Sequence, residues 1–143
     1  MIMRTFLVFD INDSYYSLYK DYPYSIYNLL SQIYRLKDNN LMFAKNLLIQ
    51  LVNKIDKENI DKDLFLKLHK DLPYSKRGEK HLFNNFYYGE ITSMVVHNYH
   101  IKIKSSKDES YFLKSLSYYN KHFFVCDFES GDYFFLENIM VNV

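Results

Sequence analysis

The spacing of apolar residues changes once along the chain, near Phe83. Before this point apolar residues tend to recur every three or four positions, as in helices with one buried face. After it apolar and polar residues alternate, most clearly in residues 101–104 (IKIK), as in strands with one buried face. Because a strand-like stretch at residues 4–10 precedes the helices, the chain is predicted to form an α+β domain.

The helical half contains four candidate helices. Residues 4–10 (RTFLVFD) are typical of a strand buried on both faces, and residues 12–14 (NDS) offer caps for a short helix after it. Pro23 fits the first turn of a second helix. The clearest amphipathic segment runs from 40 to 57, and a further helix is expected over 61–72. The predicted buried stripe of the 40–57 segment is Ala44, Leu47, Leu48, Leu51, Val52 and Ile55.

The second half is predicted to form two hairpins separated by a helix. Residues 73–81 (PYSKRGEKH) have the composition of a loop. A hairpin that turns at residues 97–99 follows it. Ser106 and Glu109 have the spacing of a capping box, which predicts a helix of roughly three turns after them. The last hairpin pairs two strands, at residues 123–128 and 133–136.

Apart from the short helix after residues 12–14, these elements occur in the order β, three helices, two strands, one helix and two strands. We expect an α+β fold in which about five mostly antiparallel strands pack with four to five helices. At 143 residues the chain is long enough for one core, so a single domain over residues 1–143 is expected.

The last hairpin contains the only cysteine, Cys126, beside Asp127. A free cysteine among apolar residues is usually buried, so we interpret Cys126 as structural. A carboxylate in such surroundings needs a cation or backbone hydrogen bonds, and support of the turn is the preferred role for Asp127. Gly131 is expected to supply the positive φ of that turn. Catalysis by Asp127 with a turn histidine, His97 or His100, is the alternative.

Composition excludes several classes of function. The net charge of +1 gives no overall field toward nucleic acid or an anionic membrane. One cysteine allows no internal disulfide, and the opening apolar run is too short to span a bilayer, so a cytoplasmic location is expected. The sequence contains no glycine-rich phosphate motif and no metal-ligand set. We therefore expect no catalytic residues, cofactor, metal, small-molecule substrate or membrane attachment.

A basic cluster precedes an aromatic run in the segment 76–88. Four basic side chains lie just before FNNFYY and could combine phosphate contacts with base stacking: Lys76, Arg77, Lys80 and His81. Glu79 and Glu90 dilute the cluster, so a solvated loop is the preferred interpretation. A nucleic-acid-binding module that uses this segment is the alternative function.

Tyrosines near the amino end provide the stronger functional signal. Five of them lie within ten residues: Tyr15, Tyr16, Tyr19, Tyr22 and Tyr24. A helix cannot turn all of them inward, and exposed aromatics are common anchors in protein interfaces. Ile49 and Gln50 lie on the outer side of the long amphipathic segment and could extend the same surface. These residues favour a protein-interaction module.

Both ends of the chain resemble the sporulation inhibitor of replication (SirA) family of endospore-forming bacteria. Residues 100–136 (HIKIKSSKDESYFLKSLSYYNKHFFVCDFESGDYFFL) are similar to its carboxyl-terminal half, which contains the segment F-L-A-x-D-F-x-S-x-x-Y-x-W-L. Six residues match that segment without a gap: Phe123, Asp127, Phe128, Ser130, Tyr133 and Leu136. Phe135 replaces its tryptophan. Residues 4–30 resemble the aromatic strand and spaced helical aromatics at the family's amino end.

The resemblance implies a small, non-catalytic cytoplasmic protein that binds the N-terminal domain of the replication initiator DnaA. Such a protein restrains new rounds of chromosome replication during sporulation. The family binds through aromatics after the first strand and through one face of the following long helix. The positions in this chain that the resemblance assigns to partner binding are Tyr15, Tyr19, Asn46, Ile49 and Gln50.

Overall fold

A computed structural model describes residues 3–36 and 40–137 of the chain. These residues form five helices and seven strands. The strands are β1 (Arg4–Asp10), β2 (Tyr74–Arg77), β3 (Lys80–Asn85), β4 (Glu90–Val96), β5 (Ile101–Ser105), β6 (Phe123–Asp127) and β7 (Asp132–Phe135). The helices are α1 (Asp13–Tyr19), α2 (Pro23–Leu36), α3 (Leu41–Leu51), α4 (Lys57–Leu68) and α5 (Tyr111–Leu116). None of the described helices combines the length and the apolar character that crossing a membrane requires.

The seven strands form one antiparallel sheet in the order β2-β3-β4-β5-β1-β6-β7. The predicted α+β class is confirmed, and β1 lies inside the sheet as its apolar run predicts. The expected number of about five strands is wrong. The two additional strands, β2 and β3, come from residues 74–85, most of which were expected to be a loop. Gly78, at φ 58°, provides the tight turn that joins them.

Several helix boundaries differ from their predicted positions for local reasons. The helix expected over 40–57 ends at Leu51, because Val52 takes an extended backbone and pairs with Ile11. The helix expected over 61–72 is α4, which starts earlier because the Asp56 side chain caps it. Ser110, and not Ser106, caps the short helix α5. The Ser106 hydroxyl instead accepts a hydrogen bond from the Ile91 amide at 2.8 Å.

Helices pack on both faces of the sheet. On the first, the α4/α5 face, the buried side chains include Phe6, Val8, Ile60, Leu64, Met94, Ile103 and Phe112. On the second, the α2/α3 face, they include Phe9, Ile26, Leu30, Leu51, Phe124 and Phe135. The buried residues that the sheet contributes to the second group come from β1, β6 and β7 only. Helices α2 and α3 therefore cover one half of their face and leave strands β2–β5 without a helix above them.

The last hairpin matches its predicted role. Cys126 is buried, and its surroundings raise the pKa of the thiol well above its ordinary value. Asp127 accepts the amides of Glu129 and Ser130 at 3.2 and 3.1 Å, and Arg4 Nε donates to its Oδ2 at 2.9 Å. Gly131 closes the turn at φ 76°. Asp127 is thus a buried turn support and ion-pair partner.

Candidate partner-binding surface

Helix α1 is fixed against the end of α3 by a single asparagine. The Asn12 side chain accepts the Tyr15 amide at 2.9 Å and so caps α1. Its Nδ2 also donates to the Gln50 carbonyl at 2.6 Å, and its backbone amide donates to the Leu51 carbonyl at 3.0 Å. Because these bonds join α1 to α3, the tyrosines of α1 have a defined position beside the long helix.

The tyrosines of α1 divide between the two sides of the helix. Tyr16 points inward, where its ring stacks on His122 at a centroid distance of 3.7 Å. Its hydroxyl donates to Glu137 at 2.6 Å, and that hydrogen bond, followed by burial, raises the pKa of Tyr16 to about 12. Tyr15 and Tyr19 lie on another side of the helix and stack on each other at 6.1 Å.

Tyr15 and Tyr19 border a groove of about 370 Å³ between α1, α2 and the end of α3. We call this the tyrosine groove, and its lining includes Tyr15, Tyr19, Tyr24, Ile26, Leu29 and Leu51. Tyr24 and the neighbouring Tyr22 are 61% and 67% exposed. The groove is thus lined by apolar and aromatic groups together with the polar side chains of Ser25, Asn28 and Gln32, and it has further exposed aromatics at its edge.

The predicted long-helix residues lie on the outer surface of α3. Asn46, Ile49 and Gln50 are all exposed, and the Gln50 carbonyl contacts α1. They do not line the tyrosine groove itself. Gln50 directly precedes Leu51, which forms part of the groove wall, whereas Asn46 and Ile49 lie on the opposite side of α3 from Leu51 at 3.6 residues per turn. The structure therefore brings Tyr15, which is partly buried, and Tyr19 together at the groove and places Asn46, Ile49 and Gln50 separately on the outer surface of α3.

Sequence reasoning missed some exposed apolar residues. Leu18 on α1 is exposed, and so are three consecutive residues that begin α3: Leu41, Met42 and Phe43. These three lie off the predicted stripe of that helix, and this is the signal that would have identified them. They are about 12 Å along α3 from Leu51, at 1.5 Å per residue, so they form a separate exposed apolar area.

The basic-aromatic segment 76–88 does not form the expected solvated loop. His81 is buried: the Tyr74 hydroxyl donates to its Nδ1 at 2.8 Å, and its Nε2 donates to Asp61 at 2.7 Å. Burial lowers the pKa of His81 and outweighs the opposing effect of Asp61, so the ring is neutral. The interpretation of this segment as a solvated loop is therefore wrong for His81, and the basic cluster is divided between two faces of the sheet.

The alternative catalytic arrangement does not assemble. Asp127 is engaged by Arg4 and by turn amides, whereas His97 and His100 stack on each other at the β4–β5 turn with centroids 4.5 Å apart. Over residues 3–36 and 40–137, no group of three or more histidine, cysteine or carboxylate side chains could hold a metal ion.

A larger cleft, of about 600 Å³, lies where β1 ends beside the start of α4. Asp10 contributes a nearly buried carboxylate to it, and burial raises the pKa of this group. Asn53 Nδ2 lies 3.4 Å from that carboxylate. The rest of the lining mixes lysines and carboxylates, including Lys54, Asp56, Lys62, Asp63 and Lys121. This balance of charge favours neither an anionic nor a cationic ligand.

No protein-family model matches the chain, and no curated protein matches it either. Function is therefore inferred from the surface itself and from the motifs at the two ends of the sequence.

Proposed function

We propose that the chain is a non-catalytic, cytoplasmic interaction module that binds the N-terminal domain of the replication initiator DnaA. Binding uses the tyrosine groove together with the outer face of α3, and it inhibits initiation of chromosome replication during sporulation. The partner and the process come from the family resemblance. The observation that supports an interaction surface at this place is the pair of stacked tyrosines, Tyr15 and Tyr19, beside an open groove with apolar, aromatic and polar lining.

The groove has the physical character of an interface centre. Tyrosine supplies a large apolar contact area with few rotatable bonds, and its hydroxyl keeps a polar partner at the rim. Leu18 and Tyr22 are exposed and lie within three residues of Tyr19 in the chain. A partner that covers the groove and its surroundings would remove such apolar groups from water. An interface of ordinary size buries about 800 Å² on each side, so a partner must also cover surface around the groove.

The surface is held in place before any partner arrives. Asn12 ties α1 to the end of α3, and the Tyr22 amide donates to the Tyr19 carbonyl at 2.8 Å in the turn that leads to α2. Such preorganisation reduces the entropy that binding must overcome. In the proposed mechanism the module covers a small helical surface of the initiator. Initiator molecules can then no longer make the contacts that assembly at the origin requires, so inhibition is steric.

The test is a binding measurement with the purified N-terminal domain of DnaA. Replacing Tyr19 with Ala should weaken binding by about 2 kcal/mol or more, roughly 30-fold, because central interface aromatics contribute on this scale. Tyr15→Ala should act in the same direction. Tyr118→Ala is the matched control, since Tyr118 is also an exposed tyrosine but follows α5 on the other face of the sheet.

Thermal unfolding of the same variants separates binding from packing. We expect the Tyr19→Ala variant to melt within a few degrees of the wild type, because its ring is already partly in water. The proposal is refuted if the wild-type chain does not bind the domain, or if Tyr118→Ala weakens binding as much as Tyr19→Ala. A loss of stability that accounts for the whole loss of binding would assign Tyr19 to the core.

A further inference from the structure

Strands β2–β5 present one face of the sheet without a helix over it. Side chains alternate along each strand, and those buried beneath α4 and α5 include His81, Phe83 and Met94. The intervening side chains point to the opposite side, and all of them are exposed or only partly buried. We call this surface the open face; its members on β2–β5 are residues 75, 77, 80, 82, 84, 91, 93, 95, 102 and 104.

The open face concentrates positive charge. Its charged side chains are Arg77, Lys80, Lys102 and Lys104. Arg77 and Lys80 lie directly opposite each other on β2 and β3, an arrangement that costs stability because like charges repel. Lys80 and Lys102 lie on either side of Val95 in register. Together with Arg77 opposite Lys80, the row of cations spans four strands, which is about 14 Å at about 4.8 Å between neighbouring strands.

Carboxylates near these strands are engaged elsewhere. Glu79 lies 3.7 Å from Lys57 of α4, and Glu90 accepts the Thr92 hydroxyl and the Tyr111 amide on the α4/α5 face. Asp108 pairs with Arg4 at 2.6 Å. Within the described part of the chain, the open face of β2–β5 therefore contains no carboxylate, and none of its four cations forms an ion pair. Cations and carboxylates are thus separated between surfaces, which the net charge of +1 for the whole chain does not reveal.

The hairpin that joins β3 to β4 adds aromatic rings at one end of the open face. Phe86, Tyr87 and Tyr88 are 78%, 90% and 68% exposed. Tyr87 and Tyr88 meet edge to face at 5.2 Å, so each ring contributes exposed surface. The register places Arg77, Lys80 and Lys102 in one row across the strands, at the end away from this hairpin, and Lys104 one row nearer to it. Aromatic groups and cations on one surface are the combination that single-stranded nucleic acids recognise, because phosphates pair with the cations and bases stack on the rings.

We propose that the open face binds single-stranded nucleic acid. The phosphate backbone contacts the row of Arg77, Lys80 and Lys102, continues along the strands past Lys104, and bases further along it stack on the aromatic hairpin at residues 86–88. Ser75, Ser93 and Asn84 provide neutral hydrogen-bonding groups on the same face, and such groups also contact phosphates. The aromatic hairpin distinguishes this partner from an acidic peptide, which would use the cations alone. This site shares no residue with the tyrosine groove and does not depend on the function proposed for it.

The test is fluorescence anisotropy of the full chain with labelled oligonucleotides of thymidine and of uridine, at a series of salt concentrations. For four phosphate contacts the slope of log affinity against log salt should be about −2.8, at about −0.7 for each contact with a single strand. Tighter binding of either the DNA or the RNA strand supports the proposal and shows which is preferred. A duplex of the same length should bind more weakly than the single strand.

A double lysine variant, a matched control and one aromatic variant separate the contribution of the cations to binding from that of the rings. Lys102→Gln with Lys104→Gln should reduce the slope by about 1.4 and weaken binding most at low salt. Lys45→Gln with Lys62→Gln is the matched control, because it removes the same charge from exposed positions on α3 and α4. Phe86→Ser should weaken binding about fivefold or more without changing the slope, since stacking is insensitive to salt.

Amide chemical-shift mapping of the wild type keeps the result independent of whether the variants fold. The expected shifts fall in β2–β5 and in the hairpin at 86–88. The proposal is overturned if no oligonucleotide binds at low salt, if the control pair weakens binding as much as the Lys102 and Lys104 pair, or if polyglutamate binds as tightly as the oligonucleotides. Shifts confined to the tyrosine groove would overturn it as well.

Discussion

Replacing Asp127 tests the main electrostatic feature of the sheet. Its carboxylate is only 3% exposed and has two kinds of partner: the Arg4 guanidinium, and the amides of Glu129 and Ser130. Asp127→Asn keeps an oxygen for the amides but places an NH₂ group opposite Arg4 Nε. Asp127→Ala removes both interactions. The two variants therefore separate the ion pair from the support of the turn.

The expected cost follows from what remains paired. Breaking a buried ion pair typically costs about 3–5 kcal/mol because the remaining charge loses its partner. Arg4 also donates to Asp108 and Asp132, each at 2.6 Å, and is partly exposed, so its charge would not be left alone. We therefore expect about 2–3 kcal/mol for Asp127→Asn. Asp127→Ala should cost about 1 kcal/mol more, since two turn amides then depend on water.

Urea unfolding followed by far-ultraviolet circular dichroism measures both costs, and a cycle with Arg4→Met isolates the pair. If the account is correct, Asp127→Asn costs at least about 1 kcal/mol less in the Arg4→Met background than in the wild type. A cost below about 0.5 kcal/mol, or equal costs in the two backgrounds, would refute the reasoning.

The pH dependence provides a second measurement on the same group. Burial opposes ionisation of Asp127, but hydrogen bonds from Ser130 and Arg4 outweigh it and lower its pKa below the ordinary 3.8. The unfolded chain therefore binds a proton before the folded chain does as the pH falls. The stabilisation from this group is complete above pH 3.8 and is lost as the pH falls toward the folded pKa. The Asp127→Asn variant should lack this part of the acid dependence.

Two further predictions concern the hairpin turn and the buried histidine. Gly131→Ala should lower the free energy of unfolding in urea by about 1–2 kcal/mol, because a residue with a Cβ is strained at φ 76°. A steric clash is not the cause, since no atom lies within 4 Å of the added Cβ. Gly131→Asn should cost less, and equal costs for the two variants would contradict a backbone origin. Burial lowers the pKa of His81 below 6.5, so the wild type should lose stability as the pH falls through 6.5 toward the folded pKa, since the unfolded chain binds the proton first. His81→Gln should be less stable at pH 7.5 and should lack this loss between pH 7.5 and 5.5, whereas an unchanged pH profile would contradict the assignment of His81 as a buried neutral ring.

Much of the fold could be predicted where one local signal was sufficient. The apolar run of β1 indicated a strand inside the sheet, and Pro23 marked the start of α2. Strands β2 and β3 were missed because the buried residues Tyr74, His81 and Phe83 alternate with charged and polar ones over short segments around a glycine turn. Their burial depends on tertiary packing against α4, which precedes them, and α5, which follows β5, so local composition could not reveal it.

The candidate surface was predictable in part. The excess of tyrosines over buried positions follows from helical geometry, but the helical period alone does not decide which ring turns inward. Tyr16 turns inward because its ring stacks on His122 and its hydroxyl donates to Glu137, and both residues are more than 100 positions away in the chain. The joining of α1 to α3 by Asn12 also needs tertiary contacts. Charge on the open face was hidden because it depends on the register of β3, β4 and β5.

Both proposed surfaces result from the same incomplete covering of the sheet. Helices α2 and α3 pack over β1, β6 and β7, and the tyrosine groove lies between α1, α2 and the end of α3. The same arrangement leaves β2–β5 uncovered beside them, with Lys102 of β5 directly opposite Leu7 of β1 in register. The two surfaces therefore lie on one side of the molecule but use different residues. A protein bound at the groove and a strand bound at the open face would be held close together, and Tyr19→Ala should impair only the former.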